Sequence, residues 1–188
     1  MLNQIPVRRV FWNGLKGNSD TFKKFQEVVE GRGIALERLQ AGQLLRGFEE
    51  VPIWVYSPDS LYGLKGINDN NASVVVQVRI GEVAFLFPGD IQFTAETELV
   101  KYGDLLHSQV LLVPHHGSAF SSSLSFLQMA KPEIAVISAG RRNPHGHPTQ
   151  QVLERLASLS CDIERTDLGG AVVLRTDGKN IWKYDGWK

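Results

Sequence analysis

The chain has 188 residues, 43% of them hydrophobic, with 20 basic against 20 acidic side chains and a formal net charge of zero. That apolar content suffices for one good-sized core, and the charge balance disfavours a broad phosphate-binding surface while leaving a local grip on a phosphodiester open. The single Cys161 excludes an intrachain disulfide and a Cys-only zinc cluster.

No apolar run approaches the ~20 residues needed to span a bilayer. The opening MLNQIPVRRVFW lacks the longer apolar stretch of a secretory signal. Val7 to Trp12 reads as a strand. A fold that begins on a core strand is expected to be incomplete at its amino end, so residues 1–188 are read as one domain lacking its first elements. Asn18, Ser19 and Asp20 offer N-caps for a helix over Thr21 to Glu30, where Phe22, Phe25, Val28 and Val29 form an apolar stripe. Strands are expected over Ile34 to Leu39 and Val51 to Tyr56. Gly63 to Asn71 is glycine- and asparagine-rich and reads as a loop.

Ser73 to Ile80 alternates as a strand, Gly81-Glu82 makes a tight turn, and Val83 to Phe87 returns. Pro88-Gly89-Asp90 then leaves a carboxylate at the strand end. Helical spacing covers Thr94 to Val100. Val110 to Val113 is a short buried strand, followed by Pro114, two adjacent histidines and Gly117. Ser121, Ser122 and Ser123 stand where the next helix, running to about Ala130, wants its N-cap. Ile134 to Ser138 is a strand and Ala139 to Pro148 a loop. Thr149 caps a helix over Gln150 to Leu159. The end is β-like over Asp162 to Arg165, Ala171 to Thr176 and Ile181 to Tyr184.

Three apolar β-runs thus end directly in polar loops: FLFPGD at Asp90, LLVPHHGS at His115 and His116, and VISAGRRNPHGHP at His145 and His147. Helices between them make parallel neighbours plausible, so the three loops share one edge of a sheet. One Asp and several His form a reasonable inventory for zinc, manganese or iron. Singly, each piece is ordinary turn chemistry. His107, between helix and strand, is expected to be a surface or capping residue.

The combination FLFPGDI, VLLVPHHGSAFSSSLSFL, KPEIAVISAGRRNPHGHPTQQVLERL and RTDLGGAV resembles the metallo-β-lactamase-like domain of ComEC-type competence proteins. FWNG and NDNNAS upstream fit the same family. The resemblance implies an α/β fold of the αββα sandwich type. It also implies two metal ions, zinc or manganese, holding a hydroxide that attacks a phosphodiester. By position, Asp90 looks like the aspartate between the metals, and His115 and His116 occupy the HHGS element, with His116 the preferred ligand. His147 looks like the last imidazole. His145 replaces a common aromatic and is expected to stand behind the ligands.

The asparagine-rich stretch Asn68, Asn70 and Asn71 matches a loop where an amide touches water or substrate; plain turn residues explain it as well. Ser118 and Arg142 are candidate phosphate contacts, with helix capping and solvation as their ordinary alternatives. The implied substrate is single-stranded DNA or another phosphodiester. The implied setting is a bacterial inner-membrane parent protein with this domain outside the bilayer.

One departure matters. The family's His-x-His-x-Asp-His motif is absent; the five histidines stand at 107, 115, 116, 145 and 147. A two-metal clamp needs more donors than Asp90, His116 and His147 provide. The chain alone is therefore expected to be impaired as a hydrolase. The alternatives are a non-catalytic binding module of the same fold and a fragment of a stand-alone metallohydrolase. An unpaired sheet edge left by missing strands would favour a homodimer.

Overall fold

The computed structural model describes residues 5–48, 50–59 and 69–184. Its centre is a six-stranded sheet in the order β3-β4-β5-β6-β7-β8. These strands are β3 (Ile53–Ser57), β4 (Val75–Ile80), β5 (Val83–Phe87), β6 (Val110–Leu112), β7 (Ile134–Ile137) and β8 (Asp162–Arg165). The pairs β3·β4 and β4·β5 are antiparallel, whereas β5 to β8 run parallel.

Parallel neighbours require crossovers, and helices supply them: α2 (Phe93–Leu99), α3 (Leu124–Ala130) and α4 (Gln150–Ala157). Right-handed crossovers through strands added in steady order place all three helices on one face. The core agrees. Leu86, Leu111, Ala135 and Ile137 from alternate strand positions pack with Ala95, Leu99, Phe126, Leu127, Val152 and Leu156 from the helices, all essentially inaccessible.

Ahead of this sheet, α1 (Asp20–Gly31) joins the parallel pair β1 (Arg9–Trp12) and β2 (Ala35–Arg38). Ser19 Oγ accepts from Phe22 N at 3.1 Å, the N-cap expected for α1. Asn13 ties the end of β1 to the 3-10 turn that leads into β4 by donating from Nδ2 to Ala72 O at 3.0 Å. After β8 come one turn of helix, α5 (Thr166–Gly169), and the hairpin β9 (Leu174–Thr176) with β10 (Ile181–Lys183).

The expected α/β class holds, and the hairpin strand Val83–Phe87 and strand Asp162–Arg165 fall where the pattern puts them. Other ends move by one to three residues. Helical spacing after Asp90 continues beyond α2 as 3-10 turns over Val100–Leu106, kinked at Gly103, where φ is 56°. α5 was not expected, because four residues carry no periodicity to read. Asn68 lies outside the described residues.

Candidate functional site

Because β5, β6 and β7 are parallel, the loops leaving them emerge at one edge of the sheet. Asp90 leaves β5, His115 and His116 leave β6, and His145 and His147 follow β7.

The first loop is held tightly. Gly89 adopts φ 64°, and a Cβ there would lie 2.9 Å from Ser73 Cβ, so only glycine fits. Asp90 N donates to Ser73 Oγ at 3.2 Å, and Gly89 O accepts from His115 N at 3.0 Å, which ties the first loop to the second.

His115 and His116 both have positive φ, 50° and 56°, so the chain turns left-handed twice before Gly117. That costs conformational energy in non-glycine residues and is maintained by surrounding contacts. Gly117 itself has φ 83°, and a Cβ there would meet Pro148 Cβ at 2.6 Å. Its carbonyl accepts from Thr149 N at 2.9 Å and Thr149 Oγ1 at 3.2 Å. The second and third loops are thereby locked together.

This backbone sends the two rings in different directions. His116 Nδ1 lies 2.7 Å from Ser138 O. A carbonyl can only accept, so Nδ1 carries the proton, and in the neutral ring Nε2 is a lone pair. That lone pair faces Asp90 Oδ1 at 3.7 Å. Two acceptors thus oppose each other. His115 instead packs edge-on against His147, with ring centroids 5.8 Å apart, and its buried Nδ1 has no hydrogen-bond partner. His145 lies 5.7 Å from His147 at a tilt of 31°.

His147 is fixed from behind by Asn143. Asn143 Oδ1 accepts from His147 N at 2.9 Å, and Nδ2 donates to His147 O at 2.7 Å. Burial holds the His147 imidazole below its ordinary pKa, and the neighbouring His115, His145 and His116 push it the same way. His116, Ser138, Asn143, His145 and His147 line a cavity of about 410 Å³.

Asn71 is buried, and its Oδ1 accepts from Gln92 N at 2.9 Å and Ala95 N at 3.3 Å, at the start of α2. Asn70 precedes it in a 3-10 turn over Asp69–Ala72. Ser118 is buried with Oγ accepting from Phe120 N at 3.4 Å. Arg142 is exposed on the loop before His145 and does not line the cavity, and its neighbour Arg141 donates from Nε to Asp167 O at 3.3 Å.

Sequence reasoning did not find Asn143, Ser138 or Glu96. Asn143 sits four residues before His147, a spacing that suits an Asn side chain closing a loop on itself. Glu96 is fully buried on α2, and its carboxylate accepts from Ser122 N and from Ser123 N, the latter at 2.7 Å. Arg155 Nη1 donates to Ser121 O at 2.9 Å and Ser122 O at 3.1 Å. The loop carrying the histidines into α3 is therefore clamped from α2 and α4.

A catalytic zinc takes about three protein ligands. Among the described residues no group of three or more His, Cys, Asp and Glu side chains could hold a metal ion. The donors present supply one carboxylate–imidazole pair and a separate imidazole cluster, so they do not by themselves fit a metal ion.

The family described as the metallo-beta-lactamase superfamily matches residues 43–141. Competence protein ComA of Neisseria gonorrhoeae is 46% identical over 109 residues, 57% of this chain and 16% of the relative. ComE operon protein 3 of Bacillus subtilis is 31% identical over 153 residues, 81% of this chain and 19% of the relative. The chain thus spans less than a fifth of the length of these curated relatives. Among solved structures, a candidate metal-dependent hydrolase from Parabacteroides distasonis aligns at a TM-score of 0.52 and 10% identity, covering 89% of this chain and 80% of that one. That likeness is one of fold.

Proposed function

The chain belongs to the metallo-beta-lactamase superfamily, and from that premise we propose that it is part of a ComEC-like hydrolase domain acting on DNA during its uptake. One observation carries the reading. The Asp90 carboxylate and the His116 lone pair face each other across 3.7 Å, at the edge of the sheet where the parallel strands end. Asp90, His116 and His147 are the residues assigned to catalysis, and His115 supports His147. In this reading Arg142 and Asn70 contact the phosphate chain, whereas Asn71 and Ser118 shape the loops from within.

The superfamily implies metal ions, and zinc or manganese suits carboxylate and imidazole donors. The donors of this chain serve such a centre only when others join them, from elsewhere in a longer protein or from a partner. Dialysed against zinc or manganese, the chain alone is expected to retain no stoichiometric metal and to leave bis(p-nitrophenyl) phosphate intact. The decisive test is made in the cell. Asp90→Asn, introduced into the gene of the host bacterium, is expected to lower the frequency of transformation or the release of degraded DNA strand. If both stay at the wild-type level, the reading fails.

A second reading, a non-catalytic module that binds DNA or another subunit, is favoured by the absence of a complete donor group among the described residues. It predicts that single-stranded DNA binding persists in Asp90→Asn and that no hydrolysis accompanies it under any metal. In this reading the parent protein sits at a bacterial inner membrane with this domain outside the bilayer. Among the described residues no helix is long and apolar enough to cross one. The open edge of the β1·β2 pair, which no described strand joins, suits a homodimer. Sedimentation at rising concentration tests it, and a monomer throughout would remove it.

A further inference from the structure

A cavity of about 490 Å³ opens at the β3 side of the central sheet, within the ~300–1,000 Å³ range of small-molecule sites. It is separate from the Asp90 edge. Arg79, on its wall, pairs with Ala84 at the beginning of β5, whereas Asp90 follows the end of that strand.

Sheet register explains how its walls are composed. Trp54 and Gln77 are partners on adjacent antiparallel strands, so their side chains leave the same face, and Arg79, two residues on from Gln77, leaves that face too. Trp54 is 41% exposed, an indole offered to solvent on a rigid strand. Tyr102 stands edge-on to Tyr56 with ring centroids 4.8 Å apart, and both rings line the cavity.

The floor is polar and already satisfied. Gln77 is 1% exposed, and its Nε2 lies within hydrogen-bond distance of Leu105 O, His107 O and Ser108 Oγ. Its Oε1 accepts from Arg79 Nη2 at 3.2 Å. That bond orients the guanidinium without neutralising it. Among the described residues Arg79 makes no ion pair, and four of its five N–H groups remain to be used. Asp104 adds one exposed carboxylate to the rim.

A flat aromatic wall, a half-buried cation without a counter-ion among the described residues, and an acceptor at the mouth together define a ligand. We propose that this cavity binds a nucleoside monophosphate: the base lies against Trp54, the phosphate pairs with Arg79, and an amino group of the base donates to Asp104. Guanidinium matches phosphate in charge and in planar geometry, and base-on-aromatic stacking tolerates any base. This site uses none of the residues assigned to hydrolysis, so it stands or falls apart from that assignment.

The test is a titration of the isotope-labelled chain with AMP, followed by nuclear magnetic resonance, with adenosine and inorganic phosphate as separate arms. Saturable AMP binding is expected to shift the Trp54 indole N–H and the Arg79 side-chain resonances. Arg79→Met, which keeps the aliphatic stem, is expected to weaken AMP about tenfold or more, the loss of a charge-assisted contact, while leaving adenosine unchanged. Trp54→Ala is expected to weaken both.

Three results would overturn the proposal: no saturable binding of AMP, inorganic phosphate binding as tightly as AMP, or AMP shifts confined to His116 and His147. Should either variant fail to fold, the wild-type shift map still decides. Failure here would leave the transformation phenotype expected of Asp90→Asn untouched.

Discussion

His116 and Asp90 meet through a ring turned around by its own backbone. The left-handed φ of 56° at His116 and the 2.7 Å contact of Nδ1 with Ser138 O leave Nε2 opposite Asp90 Oδ1. The carboxylate is itself placed by Ser73 Oγ, which accepts from Asp90 N. Neither side chain is buried; both are about half exposed. The pair is poised by its supports and contributes little to holding the fold together.

From this, Asp90→Asn and His116→Ala are expected to change unfolding free energy by no more than about 0.5–1 kcal/mol, the usual range for exposed charged pairs. Urea denaturation of the purified chain measures it. A larger loss would show that the pair is structural.

Gly117→Ala is expected to behave differently. The new methyl group would sit 2.6 Å from Pro148 Cβ at a φ of 83°, so the second and third loops must separate. A cost of about 1–3 kcal/mol is expected from the strain, together with changed ring resonances for both His116 and His147. Thermal unfolding and imidazole spectra check the two halves of this prediction.

Asn143→Ala removes both bonds that fix the His147 backbone. With roughly 1 kcal/mol per hydrogen bond, the His147 amide is expected to exchange its hydrogen about tenfold faster or more, while global stability moves far less. Unchanged exchange at His147 would mean that the loop is held by something other than Asn143.

Glu96 sets a dependence on pH. Burial, the largest cause, raises its carboxyl above the ordinary glutamate value of 4.5, although the Ser123 and Ser122 bonds and Arg155 oppose it. A folded-state pKa above the unfolded one means that the folded chain binds the proton more tightly. Its contribution to stability is full below about 4.5 and is lost as pH rises through the raised folded value. Glu96→Gln is expected to flatten that decline in denaturation series across the acid range. It should also cost about 1–3 kcal/mol, because one amide oxygen cannot serve the Ser122 and Ser123 N–H groups as two carboxylate oxygens do.

Much of the candidate site was legible in the chain itself. Asp90, the two adjacent histidines and His147 each follow an apolar run without an intervening element, and such runs become parallel strands when helices separate them. Strand β5 and helix α3 could be read because a tight hairpin turn and serine capping are local properties. The absence of a His-x-His-x-Asp-His motif was equally plain.

What the sequence by itself determined, then, was which chemistry reaches the sheet edge: carboxylate and imidazole, at the ends of three strands. Only the tertiary structure decided how they face one another. The direction of the His115 and His116 rings depends on two left-handed backbone angles, and no residue type announces those outside glycine. The group that orients His116 is the backbone carbonyl of Ser138, an atom every residue carries. Asn71 and Ser118 turned inward for a related reason: a short polar side chain bonds whichever backbone group packing brings within reach, and packing is a property of the whole chain.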